Sequence, residues 1–506
     1  MIGSGARVIE RPSSIRAPER GEGRRVAVVL GASIIASVVV GWLAGTLASG
    51  GQTMVLVALL VPFVPVLAWR RPVAAVTGLG LLAIVIEQYR IGEPGGDVTD
   101  HVPLFTSLSD GLHLSGVYVN PMEILVVLVL LVFLIRATER GFTIPRTRLA
   151  LGLALLVGLV LAGLVHGLLS HGDYKMALWE IRPTIYVALG YLLAAQLPAR
   201  AATITAVLWA FVLGVGFKAF QGLALLPGFL AAHPRPDYLL SHEDSFFFCL
   251  YIVLVAGLWL FRQKGRLRAV ATVLLPIVVV VNLANNRRTS WAILGATFVV
   301  LAVVAWIRVP DRRRLLAGAG VAVVLAAAVY LPLYWNKGGV LAGPAAAVRS
   351  QFAPSLRDYS SDLYRTQENA NLAFNIKRSP LIGAGYGIPI DYALPMIADL
   401  TRTDAFLRYI PHNDALYVWM RLGAVGALVF WTFIGMACVA ACRVLRAADP
   451  HLALYGAFAL CAMVAYLILG GLDLGFFWFR VAVTIGVVLG ALEVAARADR
   501  KEAAPA

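Results

Sequence analysis

Along almost its whole length the chain alternates long apolar runs with short polar punctuation that is mostly basic. Runs of about sixteen residues and more recur from Val26 nearly to the C-terminus, and a run of that size crosses most of a hydrocarbon core as a helix. Period-two alternation is absent, so the closed barrel is excluded and helices remain the only spanning form. The pattern predicts about fourteen spans, over 26–48, 54–69, 72–86, 120–136, 149–168, 177–197, 201–223, 245–261, 269–284, 289–307, 315–334, 413–442, 451–471 and 476–496. The second and third are short and share the Arg70-Arg71-Pro72 hinge, while the twelfth is long enough to begin as an interfacial turn. The expected fold is therefore all-α: a polytopic integral-membrane helical bundle of about 12–14 transmembrane helices.

The basic punctuation then orients the bundle. Arg70 and Arg71, the 136–148 turn, Arg262 to Arg268, Arg308 to Arg314, Arg443 with Arg446, and Arg497 to Lys501 all fall on one side with the N-terminal arm. By the positive-inside rule that side is cytoplasmic, and both termini with it. The first run follows Arg7, Arg11, Arg16, Arg20, Arg24 and Arg25 and lacks a small-residue cleavage site, so it reads as a retained anchor. The expected organisation is a basic arm (1–25), N-terminal membrane helices (26–334), a large extracytoplasmic loop (335–411), C-terminal membrane helices (412–496) and a cytoplasmic tail (497–506). The other outward connections are 87–119 and 227–244. In the long loop, 362–376 reads as an amphipathic helix with Leu363, Leu372, Phe374 and Ile376 among polar residues, stopped by Pro380 and the glycines beyond it.

Composition sharpens this picture. Of 506 residues, 60% are hydrophobic and 14% charged, with mean hydropathy +0.80, far from the balance of a soluble domain. The net charge of +15 is spread between helices instead of gathered on one face, which argues against nucleic acid as a partner. Cys249, Cys438, Cys442 and Cys461 all lie in apolar runs, so they read as buried small side chains, with neither a disulfide framework nor a zinc spacing.

Charges at membrane depth are costly, so the exceptions are informative. Glu180, Arg182, Lys218, Arg287, Arg288, Arg421, Asp473 and Arg480 fall near predicted outer helix ends, with His412 opening the twelfth span. Arg287 and Arg288 break the charge rule most openly, because they stand on an outward turn. An outward arginine cluster beneath a large loop suits a diphosphate, since guanidinium matches phosphate oxygens bidentately. A histidine beside it suits a general base. Singly each has a plainer reading: an interfacial Arg is more often a snorkelling anchor, and His412 alone reads equally well as a helix cap after Pro411. His166 and His171 lack a completing carboxylate and read as interfacial. Gly383, Gly385 and Gly387 follow no strand and read as a tight turn, not a nucleotide loop. No metal or cofactor is expected.

The run 364–372 (YRTQENANL), then 378–387 (RSPLIGAGYG), then 411–416 (PHNDAL) leading into 422–427 (LGAVGA), resembles the loop signature of the O-antigen ligase and polymerase superfamily. With the arginine pair before the tenth span, the resemblance covers roughly 282–430. It implies a membrane glycosyltransferase in which His412 activates the acceptor hydroxyl while Arg287 or Arg288, with Arg365, holds a polyprenyl diphosphate. Asn413 would orient the ring or the acceptor, Asp473 matches an acidic family position more loosely, and Arg182 and Arg480 are secondary candidates. Two adjacent arginines stand where the family pattern has one. The implied partners are a polyprenyl-diphosphate-linked glycan donor, a glycan, lipid or protein acceptor, and the surrounding lipids of the cytoplasmic membrane. Ligation and polymerisation would use the same residues. The alternative from another class is a transporter or flippase for a lipid-linked or anionic substrate; its mark would be internal symmetry with broken helices, and the sequence suggests neither.

Overall fold

A computed structural model describes residues 61–88, 99, 102–111, 118–142, 144–233, 238–397 and 405–503. The expected first span and residues 54–60 of the second lie outside these residues. The helices are α1 (Phe63–Arg70), α2 (Pro72–Val85), α3 (Pro121–Arg140), α4 (Arg148–Leu169), α5 (Tyr174–Ala195), α6 (Ala201–Ala231), α7 (His242–Leu260), α8 (Arg266–Asn285), α9 (Arg288–Arg308), α10 (Arg313–Tyr334), α11 (Gly343–Arg349), α12 (Leu356–Arg378), α13 (Asp414–Val444), α14 (Pro450–Leu472) and α15 (Phe479–Ala503). No strand occurs among the described residues, and ten of the helices (α3, α4, α6–α10 and α13–α15) are long and apolar enough to cross a membrane. The chain is thus a multi-pass helical membrane protein. Of the other expected spans, α2 is shorter and α5 carries Lys175, Glu180 and Arg182 in its first half.

Local sequence explains the helix starts. Asn120 and Glu123 form a reciprocal capping box at α3, with Pro121 in the first turn. Thr147 caps α4, Asp173 caps α5, and Asp449 with Pro450 opens α14. Several expected boundaries move, two of them for a local reason. The helix expected to end at 223 runs through Pro227 to Ala231, because a proline this near a C-terminus removes one hydrogen bond from a turn about to end. The loop helix expected over 362–376 starts at Leu356, where Ser355 and Asp358 form a second capping box.

The core lies where α5 and α15 run against each other. A Cβ on Gly190 would sit 3.2 Å from the Cα of Gly486, and one on Gly490 would sit 2.4 Å from the carbonyl oxygen of Tyr191. Small residues let these backbones approach, the usual device where lipid offers no hydrophobic drive. By contrast α10 buries none of its residues and borders the bundle.

Candidate active site

After α12 the chain turns back through Gly383, Gly385 and Gly387, whose φ angles are 83°, 78° and 80°. The tight turn is packed so closely that a Cβ on Gly385 would stand 2.5 Å from the amide nitrogen of Gly167 at the end of α4. Its other side meets a break in α13, where Gly423 takes φ 65° and ψ −170°. The sequence reading finds no broken helix; this one is broken because the turn supplies the missing hydrogen bonds. Ala384 N–H donates to Met420 O (2.8 Å), Gly385 N–H to Arg421 O (3.0 Å), and Ala424 N–H to Pro380 O (2.8 Å).

A buried ion pair clamps the turn. Arg421 lies 2.5 Å from Glu180 of α5 and donates to the carbonyl oxygens of Gly385 (3.1 Å), Ile388 (2.6 Å) and Tyr409 (2.9 Å). Glu180 also accepts the Gly387 N–H at 2.6 Å and the Tyr417 hydroxyl at 2.9 Å. Each charge is paired with the other, with only Arg421 Nε left without a hydrogen-bond partner, and removing either would strand the other in the interior. They fix the backbone between the turn and the start of α13, where His412 stands.

His412 is not the cap of α13. The Asn413 Oδ1 accepts from Leu416 N–H at 3.2 Å, so Asn413 is the residue that caps the helix N-terminus. The backbone N–H of His412 donates to Glu368 Oε2 at 2.8 Å, its Nδ1 lies 3.2 Å from Glu368 Oε1, and Tyr364 meets the ring edge-on at 5.7 Å. Glu368 is buried. A carboxylate only accepts, so Nδ1 carries a proton, and in the neutral ring the lone pair is on Nε2.

Nearby opens a cavity of about 300 Å³ lined by Arg287, Arg288, Arg349, Arg357, Arg365, His242, Asp358 and Asp473 among others; His412 and Glu368 do not line it, and His412 reaches it through its charge interaction with Asp473. Arg287 and Arg288 thus meet Arg365 although nearly eighty residues separate them. The Arg287 guanidinium stacks 3.9 Å over Tyr238, while Arg288 spreads both nitrogens onto Asp362 at 3.0 and 3.3 Å. Asp473 stands 2.7 Å from His242 Nδ1. Burial would raise its carboxyl, but His242, then His412 and Arg365, hold it well below the usual carboxylate range.

Residues 282–431 match the family model described as O-Antigen ligase. Over that stretch the chain is similar to the O-antigen ligase superfamily. The match runs from the end of α8 to the middle of α13 and so contains the arginine pair, Arg365, the glycine turn and His412. It supports a membrane glycosyltransferase of the ligase or polymerase type, with lipid-linked glycan and acceptor as partners in general terms. No curated protein matches the chain.

Two candidates stand apart from the arginine cavity. Arg182 pairs with Glu123 of the α3 capping box at 2.8 Å, which ties α5 to α3. Arg480 is fully buried: it meets Asp244 at 2.6 Å and Ser241 at 2.9 Å and donates to the carbonyl oxygens of Ala83 and Ile84. Lys218 joins the same interior network 3.9 Å from Asp244, and it also meets Glu87 and Gln221. Sequence reasoning misses Glu368, His242, Arg349 and Arg357. For Glu368 a signal existed: Tyr364, Glu368, Asn371 and Leu372 recur at helical spacing and form the buried face of α12, while Phe374, expected on that face, is 40% exposed.

Proposed function

We propose that this protein transfers a glycan from a polyprenyl-diphosphate carrier to an acceptor hydroxyl at the outer face of the cytoplasmic membrane, with His412 as general base and no metal. The observation that carries this reading is the convergence of five arginines on one cavity beside a histidine whose Nδ1–H is held by a buried carboxylate. The acceptor oxygen attacks the anomeric carbon as its proton passes to His412 Nε2. The bond from that carbon to the diphosphate oxygen breaks, and the diphosphate leaves with the electron pair. Arg365 and the Arg287/Arg288 pair meet the charge that develops on it. Donor binding would draw Arg288 from Asp362 onto the phosphate oxygens. The carboxylates at the cavity are committed as well, Asp358 and Asp362 to Arg288 and Asp473 to His242, which leaves the arginines to do what a metal would otherwise do.

The test is replacement of His412 by Ala and by Asn at matched membrane abundance. Both should lower transfer by about 10²- to 10⁴-fold while donor binding survives. Near-normal transfer by either variant would return His412 to a structural role. The side of the membrane is tested separately, with a Leu356→Cys probe in a background lacking the four native cysteines, Leu356 being 86% exposed. A membrane-impermeant maleimide should label it in intact cells. Labelling only after permeabilisation would put the cavity on the wrong face.

A further inference from the structure

At the end of the bundle away from the arginine cavity, two further cavities flank the first turn of α4. One, of about 390 Å³, lies among α4, α13 and α15 and is walled by Leu149, Met436, Val439, Ala440 and Leu492. The other, of about 700 Å³, lies between α4 and α5 and is walled by Leu151, Ala154, Val157, Ala188 and Leu192. They share Thr147 and Arg148, so the N-terminus of α4 is the ridge between them. Arg146 lines the second cavity, and Arg443 and Arg500 line the first. None of these four arginines makes a side-chain hydrogen bond or ion pair among the described residues, in contrast to Arg136, Arg308 and Arg497 near the same end, which donate to carbonyl oxygens. The acidic side chains lining the first cavity are Glu493, which accepts from Thr147 at 2.6 Å and Tyr191 at 3.0 Å, and Asp499.

We propose that this ridge is a binding site for one two-chain anionic phospholipid, with its phosphodiester among Arg146, Arg148, Arg443 and Arg500 and one acyl chain in each cavity. The charge argues for an anionic headgroup: four cations face two carboxylates, one of them already hydrogen-bonded. Apolar walls on both sides of one basic ridge argue for two chains sharing one phosphate. The N-terminus of a 22-residue helix adds a favourable field for the anion. Basic pockets between membrane helices are the ordinary means of holding such headgroups. The site is independent of the glycan reaction and lies at the opposite ends of the same helices, since α4 begins at Arg148 and reaches the glycine turn at Gly167.

Native mass spectrometry of the whole protein, titrated with phosphatidylglycerol or with phosphatidylcholine of identical chains, tests the site. The expected result is retention of phosphatidylglycerol at least tenfold above phosphatidylcholine. The triple change Arg148→Gln, Arg443→Gln and Arg500→Gln should abolish that preference. The triple change Lys264→Gln, Arg266→Gln and Arg314→Gln removes equal charge from exposed positions elsewhere and should keep it. Ala440→Trp fills an apolar wall without touching charge and should also weaken retention, which keeps the test open if the triple variant folds poorly. Equal retention of the two lipids, an equal loss in the control triple, full retention in Ala440→Trp, or displacement by millimolar inorganic phosphate alone would each overturn the proposal.

Discussion

Glu368→Gln separates a catalytic histidine from one that merely packs well. The substitution keeps side-chain volume, and the amide oxygen can still accept the backbone N–H of His412, now 2.8 Å from Glu368 Oε2. What it removes is the negative charge facing Nδ1, and the amide can instead offer an N–H to that nitrogen, which moves the ring proton to Nε2 and takes away the lone pair a base needs. A hydrogen bond to a charged group contributes roughly 1.5–3 kcal/mol. At about 1.4 kcal/mol per tenfold in rate, kcat should fall roughly 10- to 150-fold. The KM for the donor should hardly change, because Glu368 does not line the arginine cavity. The assay is transfer in proteoliposomes from a lipid-linked oligosaccharide to a labelled acceptor, at matched amounts of monodisperse protein. The double variant His412→Ala with Glu368→Gln should be no slower than His412→Ala alone, since a positioning residue has nothing left to position. Unchanged kcat in the single variant, or losses that multiply in the double, would refute the reasoning.

Arg365→Lys retains charge but not the planar fork, so kcat/KM should fall by about ten- to a hundredfold if Arg365 grips phosphate oxygens bidentately; wild-type kinetics with the lysine would mean that it serves only as a point charge. Asp473→Asn should lower the thermal unfolding temperature. Because the folded carboxyl is held below its unfolded value, the stabilisation it provides is fully present above about pH 4 and is lost as pH falls below that. Unfolding temperatures of wild type and variant that differ equally at pH 3 and pH 6 would contradict this.

The bundle was legible because lipid imposes it: long apolar runs have one spanning form, and the basic turns mark their ends. The ends of α6 and α12 were less so, since a proline late in a helix and a Ser355/Asp358 capping box act through local hydrogen bonds that hydropathy does not register. The arginine pair and Arg365 could be named because they break the charge rule or stand in a family motif. Arg182 and Arg480 drew notice by the same membrane-depth argument, yet each is neutralised by a carboxylate from another helix, Glu123 and Asp244, and no spacing rule reveals a partner 59 or 236 positions away. Glu368 was hidden for a different reason. It is a polar residue on the buried stripe of an otherwise polar helix, and only the face of α12 that turns toward His412 distinguishes it from its solvated neighbours.

The break in α13 bears on the choice between enzyme and transporter, because discontinuous helices usually mark a translocation path. In such a path the freed backbone groups and helix ends face a cavity and coordinate the cargo. At Gly423 they do not. The carbonyl oxygens of Met420 and Arg421 and the N–H of Ala424 are taken by residues 380–385, and Arg421, whose charge at that depth would suit an anionic cargo, is consumed by Glu180 and three backbone carbonyls. A Cβ on Gly423 would stand 2.1 Å from the Leu381 carbonyl oxygen, so no open channel runs through the break. The discontinuity works as a socket: it lets the glycine turn enter the bundle, and the turn in turn carries the backbone that meets α13 just below His412. The arginines that line the cavity of the proposed site, 287, 288, 349, 357 and 365, are grouped at the start of α9 and on α11 and α12 instead of being strung along the bundle's depth. A transporter needs charge relayed from one face to the other, whereas transfer from a lipid diphosphate needs it gathered at one, beside a base.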